Sequence, residues 1–258
     1  MSHSARVVSI ARRGALATVL IDHAAKRNAL SGSVQDGLIS AFEEIARDDN
    51  VAVVVLTSAG DSFCSGGDLA EIQSHRTVEA AEAMARRSRS VLDRIRRCPA
   101  PVVAGLNGDA IGGGTELALA CDFRVVAHGA SMLFAQGRQA LSPAWGGGVD
   151  LIERVGPSMA QRLLGTTARV SGDEGLRLGL FDAVAAADET IDDAVAAFVE
   201  PLLRRPTQVL RANKALAIAS RMNARRDELE AIELEQFTRT WMHADHWEAL
   251  DGFLNRQR

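Results

Sequence analysis

The spacing of apolar residues divides much of the chain into strands and amphipathic helices. Residues 6–13 and 16–21 are strand-like, and the glycine between them predicts a β-hairpin that turns at Gly14. Residues 33–48 and 78–97 repeat their apolar positions with helical periodicity. These two segments therefore predict helices that each bury one face.

Short, almost wholly apolar runs lie between these segments. Residues 51–57, 101–106 and 122–127 predict buried strands, since a strand covered on both faces has no polar side. Strands that alternate with helices are typical of the α/β class. We expect an α/β core over residues 1–190, followed by a wholly helical region over residues 191–258.

Two loops rich in glycine follow two of the predicted buried strands. Residues 62–69 are SFCSGGDL and residues 107–116 are NGDAIGGGTE. Glycine lets the backbone approach a bound group, and N–H groups at the start of a helix favour negative charge. Two such loops can each direct one N–H at a single carbonyl oxygen beside the carboxylate of Glu116. The pattern indicates an enzyme that stabilises an oxyanion, although glycines that only form turns are the alternative.

Both glycine motifs resemble the paired signatures of the crotonase (enoyl-CoA hydratase/isomerase) superfamily. Further matches in order are KRNAL at residues 26–30, PAPV at residues 99–102 and PAWGG at residues 143–147. The resemblance covers residues 6–254 and implies a crotonase-like superhelix of repeated ββα units. It also implies an acyl-CoA thioester substrate and a helical C-terminal region that builds homotrimers or dimers of trimers. No separate cofactor is implied, because coenzyme A is part of the substrate.

Position in the family motifs implies four catalytic residues. The backbone N–H groups of Gly67 and Gly113 would form the oxyanion hole, and Glu116 would act as acid/base. The second glutamate of the hydratases falls on Gln136, which can orient water but cannot take a proton. Residues 131–149 contain no carboxylate. The resemblance therefore implies chemistry with one base, or a reaction other than hydration.

Seven further residues are implied to contact the substrate: Arg27, Ala29, Ser65, Asp68, Leu69, Trp145 and Arg256. Ser65, Asp68 and Leu69 would line the path of the adenine and pantetheine groups, and Trp145 would wall the acyl pocket. Arg256 would meet the 3′-phosphate of CoA, with an unstructured terminus as the alternative. Equally, Asp68 can cap the following helix and Trp145 can be a core aromatic residue.

A second, local resemblance concerns residues 142–147, SPAWGG, and residues 120–124, ACDFR, which are similar to ethylmalonyl-CoA decarboxylases. Those enzymes need an oxyanion hole for the enolate left after CO₂ departs, but no second glutamate. We favour a hydratase/isomerase-type lyase because that resemblance covers the whole chain. Decarboxylation of an alkylmalonyl-CoA, or a related reaction on a carrier-protein thioester, is the alternative.

Composition and charge narrow the function classes. The chain has 258 residues and a formal net charge of −4, which gives no basic excess for binding nucleic acid. No apolar run approaches the roughly 18 residues that span a membrane. The three cysteines form no CxxC motif, and no secretory signal is evident, so we expect a cytoplasmic protein with free thiols.

Two remaining sets of residues could suggest binding sites. The arginine pairs at residues 86–87, 96–97 and 225–226 are expected on solvated helix faces, with a basic patch for CoA phosphates as the alternative. His243 and His246 have helical spacing, but nothing nearby supplies a clear third ligand. We therefore predict no metal site.

Overall fold

The computed structural model describes residues 7–255 of the chain. Within this range the strands form a six-stranded and a four-stranded sheet. The strands are β1 Val8–Arg13, β2 Leu16–Ile21, β3 Val53–Ser58, β4 Ser62–Cys64, β5 Val102–Leu106, β6 Asp109–Ile111, β7 Phe123–Val126, β8 Ser131–Leu133, β9 Arg169–Ser171 and β10 Ala183–Val184. The larger sheet has the order β1-β2-β3-β5-β7-β10, and the smaller has the order β4-β6-β8-β9.

Helices cover both faces of the larger sheet and make up the C-terminal part of the described chain. They are α1 Gly32–Ala46, α2 Leu69–Ile72, α3 Val78–Arg96, α4 Gly113–Ala120, α5 Gly147–Val155, α6 Pro157–Gly165, α7 Gly172–Arg177, α8 Ile191–Leu203, α9 Thr207–Arg221, α10 Arg226–Trp241 and α11 Ala244–Asn255. Two short 3₁₀ helices occupy Ala24–Lys26 and Ala135–Gln139.

The apolar runs are buried because the larger sheet lies between two hydrophobic layers. In β3, Val54 and Leu56 face a layer that includes α1 and α3, whereas Val53 and Val55 face a layer that includes α8. Alternate side chains of one strand therefore enter opposite cores, and no polar face remains. This arrangement explains why the run carries no alternating pattern.

A repeating unit links the two sheets. β3, β5 and β7 belong to the larger sheet, and the strand after each of them, β4, β6 and β8, belongs to the smaller sheet. Helices follow these strand pairs, so the repeated ββα arrangement and the α/β class are confirmed. The predicted hairpin is also confirmed, since β1 and β2 pair antiparallel across Gly14.

The C-terminal helices differ in how they pack. Val195 and Val199 of α8 and Leu210 of α9 are buried against the larger sheet. α10 and α11 contain no buried residue. Within residues 7–255, none of the helices combines the length and apolar character needed to cross a bilayer.

Candidate active site

The two glycine loops meet at one end of the smaller sheet. β4 and β6 pair in parallel, so the loops that follow them leave the same edge. A Cβ on Gly66 would lie 2.9 Å from the carbonyl oxygen of Ile111 and 3.1 Å from the amide nitrogen of Gly113. Gly113 is the first residue of α4, where N–H groups have no acceptor within the helix. Within residues 7–255, the N–H groups of Gly67 and Gly113 donate to no protein acceptor.

Glu116 lies on the first turn of α4 and is 3% exposed. Its Oε2 atom accepts hydrogen bonds from the N–H groups of Trp145, at 2.9 Å, and Gly147, at 3.0 Å. Burial raises the pKa of the Glu116 carboxyl, while those two N–H groups, Gln136 and the positive charge of Arg96 oppose the increase. The site therefore holds a buried carboxyl group with one oxygen fixed and the other, Oε1, less constrained.

Gln136 faces this second oxygen from the 3₁₀ helix Ala135–Gln139. Its Nε2 atom lies 3.5 Å from Oε1 of Glu116, the long limit of a hydrogen bond. Its own Oε1 atom is buried and has no hydrogen-bond partner among the described residues. The motif spacing and the structure agree in placing this amide beside Glu116. The pair offers one carboxyl group, one amide donor and one amide acceptor.

The indole ring of Trp145 covers both glycine loops and is 7% exposed in total. A Cβ on Gly113 would lie 2.1 Å from Cζ3 of the ring, and a Cβ on Gly67 would lie 3.5 Å from Cη2. A side chain at residue 113 would collide with the indole, because real Cβ atoms do not approach this closely. Trp145 is thus a buried aromatic residue that also borders the space beside the two N–H groups.

The N-terminal motif lies directly against the first glycine loop. The carbonyl oxygen of Arg27 accepts a hydrogen bond from the Ser65 N–H at 3.0 Å, and the Leu30 N–H donates to the carbonyl oxygen of Gly66 at 2.8 Å. Ala29, between these two contacts, is buried. The structure therefore joins two motifs that are about 40 residues apart in the sequence.

Asp68 is the N-cap of α2, as one of the two interpretations predicted. Its Oδ1 atom accepts from the Ala70 N–H at 3.0 Å, and its Oδ2 atom lies 2.6 Å from Nζ of Lys26. The hydrogen bond from Lys26 lowers the pKa of the Asp68 carboxyl. The neighbouring Leu69 is 61% exposed at the surface. Arg256 lies outside the described residues, so its predicted contact stays a prediction.

The prediction of a solvated Arg96 is wrong. Arg96 is 4% exposed, and its guanidinium lies 2.7 Å from Asp150 and 2.8 Å from Asp93. Arg96 is the last residue of α3, and it donates a hydrogen bond to the carbonyl oxygen of Trp145. Asp150 of α5 supplies the counter-charge. Sequence reasoning missed this pair because its members are 54 residues apart. The other members of the three pairs are exposed, as expected: Arg86, Arg87, Arg97, Arg225 and Arg226.

The same ion network extends through Asp150 to α9 and ties that helix to the core. Lys214 donates to Oδ1 of Asp122 at 2.6 Å, and Asp122 also accepts from the N–H of Val102. Arg221 donates to Oδ1 of Asp150 at 2.8 Å and to the carbonyl oxygens of the last residues of α4. The segment that carries Glu116 is therefore fixed at its far end by a helix more than 90 residues later in the chain.

The remaining candidate groups have structural partners. His243 lies 3.0 Å from the side-chain nitrogen of Gln208, and the His246 ring lies 4.6 Å from the Trp241 ring. Among the described residues no cluster of three potential metal ligands occurs. All three cysteines are buried free thiols.

The chain is similar to known proteins over nearly its whole length. The family model described as "Enoyl-CoA hydratase/isomerase" matches residues 11–258. A crotonyl-CoA hydratase of Syntrophomonas wolfei is 31% identical over 94% of this chain and 93% of its own length. An ethylmalonyl-CoA decarboxylase of Xenopus laevis is 30% identical over 88% of this chain and 76% of its own length. The crystal structure of an enoyl-CoA hydratase from Mycobacterium smegmatis superposes with a TM-score of 0.90, at 28% identity, over 97% of this chain and 96% of that structure.

Proposed function

The chain belongs to the enoyl-CoA hydratase/isomerase family, and on this premise we propose that it is a lyase of the hydratase/isomerase type in which Glu116 moves the proton. The observation that carries the proposal is the state of that side chain. Glu116 is buried, one of its oxygens is held by two backbone N–H groups, and the other faces Gln136. A carboxyl group held in this way presents one oxygen for proton transfer.

The proposed oxyanion hole consists of the N–H groups of Gly67 and Gly113. Neither donates to an acceptor within residues 7–255, and the contact between their loops supports a common target. When a thioester forms an enolate, negative charge moves onto the carbonyl oxygen. Fixed N–H donors stabilise that charge without having to reorganise, and losing one typically costs about 3–4 kcal/mol in the transition state.

In the proposed hydration, Glu116 takes a proton from water as the water oxygen bonds to the β-carbon of the enoyl thioester. The electron pair of the double bond moves to the thioester oxygen, and Glu116 then returns the proton to the α-carbon. Gln136 would hold the same water, because its buried Oε1 atom is an acceptor with no protein partner among residues 7–255. Its role is orientation, since the amide cannot take the proton.

A second candidate is decarboxylation of an alkylmalonyl-CoA, favoured by the uncharged amide at residue 136. In this reaction the bond between the α-carbon and the carboxylate carbon breaks and CO₂ leaves. The electron pair of that bond forms the enolate. A protonated Glu116 then gives its proton to the α-carbon. The raised pKa of Glu116 favours that protonated form, and Gln136 would not repel the substrate carboxylate as a glutamate would. The similarity to the Xenopus ethylmalonyl-CoA decarboxylase supports the same alternative.

The wider proposal keeps the substrate contacts implied by the motifs. The first glycine loop and the segment against it would bind CoA through Arg27, Ala29, Ser65, Asp68 and Leu69, with Trp145 as a wall of the acyl pocket and Arg256 near the phosphate. CoA enters as part of the substrate, without a separate cofactor. We also propose a cytoplasmic homotrimer or dimer of trimers, supported by the apolar side chains that α10 exposes.

The first experiment identifies the reaction with a panel of enoyl-, 3-hydroxyacyl- and alkylmalonyl-CoA thioesters, followed by mass spectrometry. Addition of water to an enoyl-CoA is the expected outcome. Release of CO₂ from ethylmalonyl- or methylmalonyl-CoA, with no hydration of any enoyl-CoA, would favour the second candidate. Each active thioester is then supplied on a carrier protein, which distinguishes CoA from a carrier as the natural handle.

The second experiment tests Glu116 itself. Glu116→Gln is expected to lower turnover by roughly 10²–10⁴-fold, because a positioned proton-transfer group contributes about that much. Glu82→Gln, at an exposed position of α3, is the matched control. Gln136→Glu then separates the candidates: it should raise hydration of crotonyl-CoA but lower decarboxylation. Wild-type turnover by a folded Glu116→Gln protein would refute the proposed acid/base role.

A further inference from the structure

Arg96 is a buried cation whose contacts lead directly to the candidate site. Its Nε and Nη2 atoms donate to Oδ2 of Asp150 at 3.0 and 2.7 Å, and Nη1 donates to Asp93 at 2.8 Å. A buried charge is tolerated when it is paired in this way, and the two carboxylates satisfy that condition. A further bond, from Nη2 to the carbonyl oxygen of Trp145 at 3.2 Å, reaches the loop that holds Glu116.

Trp145 is consequently held from both sides of its backbone. Its N–H donates to Glu116 at 2.9 Å, and its carbonyl oxygen accepts from Arg96. The next residue, Gly146, has φ +94°, in the region that favours glycine. A Cβ on Gly146 would lie 2.8 Å from Nη2 of Arg96, so the backbone packs directly against the guanidinium. The N–H of Gly147 then completes the clamp on Glu116.

We propose that Arg96 is a positioning residue for Glu116. It fixes the loop Trp145–Gly147 so that two N–H groups bind Oε2 of Glu116 and Oε1 alone remains for proton transfer. This inference rests on the acid/base role proposed above for Glu116. The planar guanidinium reaches Asp93, Asp150 and the loop carbonyl together, which the single ammonium of a lysine would not reproduce.

The charges around the pair fix the direction of the pH effect. Arg96 is the last residue of α3, and its charged neighbours are Asp93 on α3, Asp150 on α5 and, through Asp150, Arg221 on α9. The positive charge of Arg96 lowers the pKa of Glu116. Removing that charge leaves the Asp150 carboxylate nearby, so the pKa of Glu116 should rise. The ionised base then forms only at higher pH, and the acidic limb of the pH–rate profile should move upward.

The experiment compares Arg96→Met and Arg96→Lys with Arg89→Met. Arg89 is a matched control, because it lies on the same helix and donates to the carbonyl oxygen of Ala144 at 3.1 Å but is exposed. Arg96→Met is expected to lower kcat by about 10- to 100-fold, since a small misplacement at a catalytic group has effects of that order. KM should stay nearly unchanged, and the acidic limb should move to higher pH. Arg96→Lys should lower kcat with a smaller movement of the limb, whereas Arg89→Met should change neither.

Several outcomes would overturn the inference. One is a folded Arg96→Met enzyme, by circular dichroism and urea midpoint, with wild-type kcat and an unmoved acidic limb. Another is an equal loss in Arg96→Met and Arg89→Met, or a change confined to KM. If Arg96→Met does not fold, a folded Arg96→Lys enzyme with wild-type kcat and limb overturns it. Glu116→Gln is measured in the same series. Retained turnover of Glu116→Gln refutes the proposed function. If Glu116→Gln is inactive but the Arg96 variants have the kcat and acidic limb of the wild type, only this inference is refuted.

Discussion

Helix α4 and the helices α10 and α11 satisfy their side chains in opposite ways. Seven of the eight residues of α4 are buried, including the ionisable Glu116. α10 and α11 together have 28 residues and bury none of them, although Leu234, Phe237 and Trp241 are large apolar side chains on α10. α4 buries a polar side chain, Glu116, and the chain supplies hydrogen-bond partners for it. α10 and α11 carry apolar side chains that the single chain leaves exposed to water.

This contrast separates the interactions that a single chain forms by itself from the apolar surface that it leaves without a partner. The ion pairs of Arg96 and Lys214 and the clamp on Glu116 are all formed within the chain. Single exposed apolar residues are ordinary, but a row of them on one helix is typical of a surface that binds another protein surface. Substitutions in the first region should therefore act on chemistry and stability at any protein concentration, and substitutions on α10 and α11 mainly through association.

After loss of Glu116 itself, the largest effect is expected at Gly113, where the helix and the Trp145 ring leave no space for a side chain. Gly113→Ala places a Cβ atom 2.1 Å from Cζ3 of Trp145, so the ring or the N–H of residue 113 must move. Loss of one oxyanion donor lowers kcat by roughly 10²–10³-fold, and we expect a decrease of that order. Turnover with the substrate found in the panel is the measurement.

The control for this prediction is Gly165→Ala, where an added Cβ meets nothing within 4 Å. The double variant Gly113→Ala/Trp145→Ala should recover part of the lost turnover, because the collision is removed. Full activity of Gly113→Ala alone would mean that neither the ring nor the N–H at this position matters for catalysis.

Local patterns predicted the α/β class and the main strands, whereas the repeated ββα arrangement and the candidate site residues were implied by the family resemblance. The alternating burial of β3 requires apolar side chains on both faces of the strand, and Val53, Val54, Val55 and Leu56 meet that requirement at successive positions. The two glycine loops were expected to direct their N–H groups at one oxygen because each follows a predicted buried strand, and in the structure the loops lie together where β4 and β6 pair in parallel. Strand burial of this kind is a property of one segment, which periodicity records.

Long-range ion pairs were not predictable from the sequence. Arg96 was expected in solvent because its helix is rich in arginine, and nothing local marks Asp150, 54 residues later, as its partner. Lys214 and Asp122 are 92 residues apart, and each resembles a surface residue within its own segment. Burial of a charge depends on which elements pack over it, and that is a property of the tertiary structure. The orientation of Trp145 over both glycines belongs to the same class.

The second prediction concerns the buried pair on α9. Lys214→Met leaves the Asp122 carboxylate with only the longer pair to Arg221, at 3.6 Å, and breaking a buried pair costs up to about 3–5 kcal/mol. Arg226→Met on α10 removes a pair with Glu230 that is exposed, and such pairs contribute about 0.3–0.5 kcal/mol. Urea unfolding of both variants measures the difference, and equal losses would contradict the contrast between the two regions.

The third prediction uses the raised pKa of Glu116. A carboxyl group whose pKa is higher in the folded than in the unfolded protein contributes stability below the unfolded value, about 4.3, and that contribution is lost as pH rises through the folded value. Glu116→Gln removes this titration. The variant should therefore gain stability relative to the wild type as pH increases from about 4 towards neutrality.

Urea unfolding at several pH values measures this difference, and subtraction of the two curves cancels the carboxyl groups common to both proteins. Glu82→Gln is the control, because substitutions at exposed positions usually change stability by less than about 0.5 kcal/mol. A difference between wild type and Glu116→Gln that is constant with pH, or that has the opposite sign, would contradict burial as the dominant influence on Glu116.

The smallest effect on a single chain is expected on α10, at Leu234, which is 66% exposed. Leu234→Lys should change the unfolding free energy by less than about 0.5 kcal/mol at high dilution, because a surface substitution there removes almost no buried contact. If the chain forms the proposed trimer, a different result is expected. Association stabilises the folded state by mass action, so the cost of a lysine in the interface should grow with protein concentration. Sedimentation equilibrium and unfolding, measured together over a hundredfold range of protein concentration, distinguish an exposed α10 on a monomer from an α10 interface in a trimer. A wild-type chain that sediments as a monomer, with the same small Leu234→Lys effect at every concentration, would show that α10 leaves its apolar face in water.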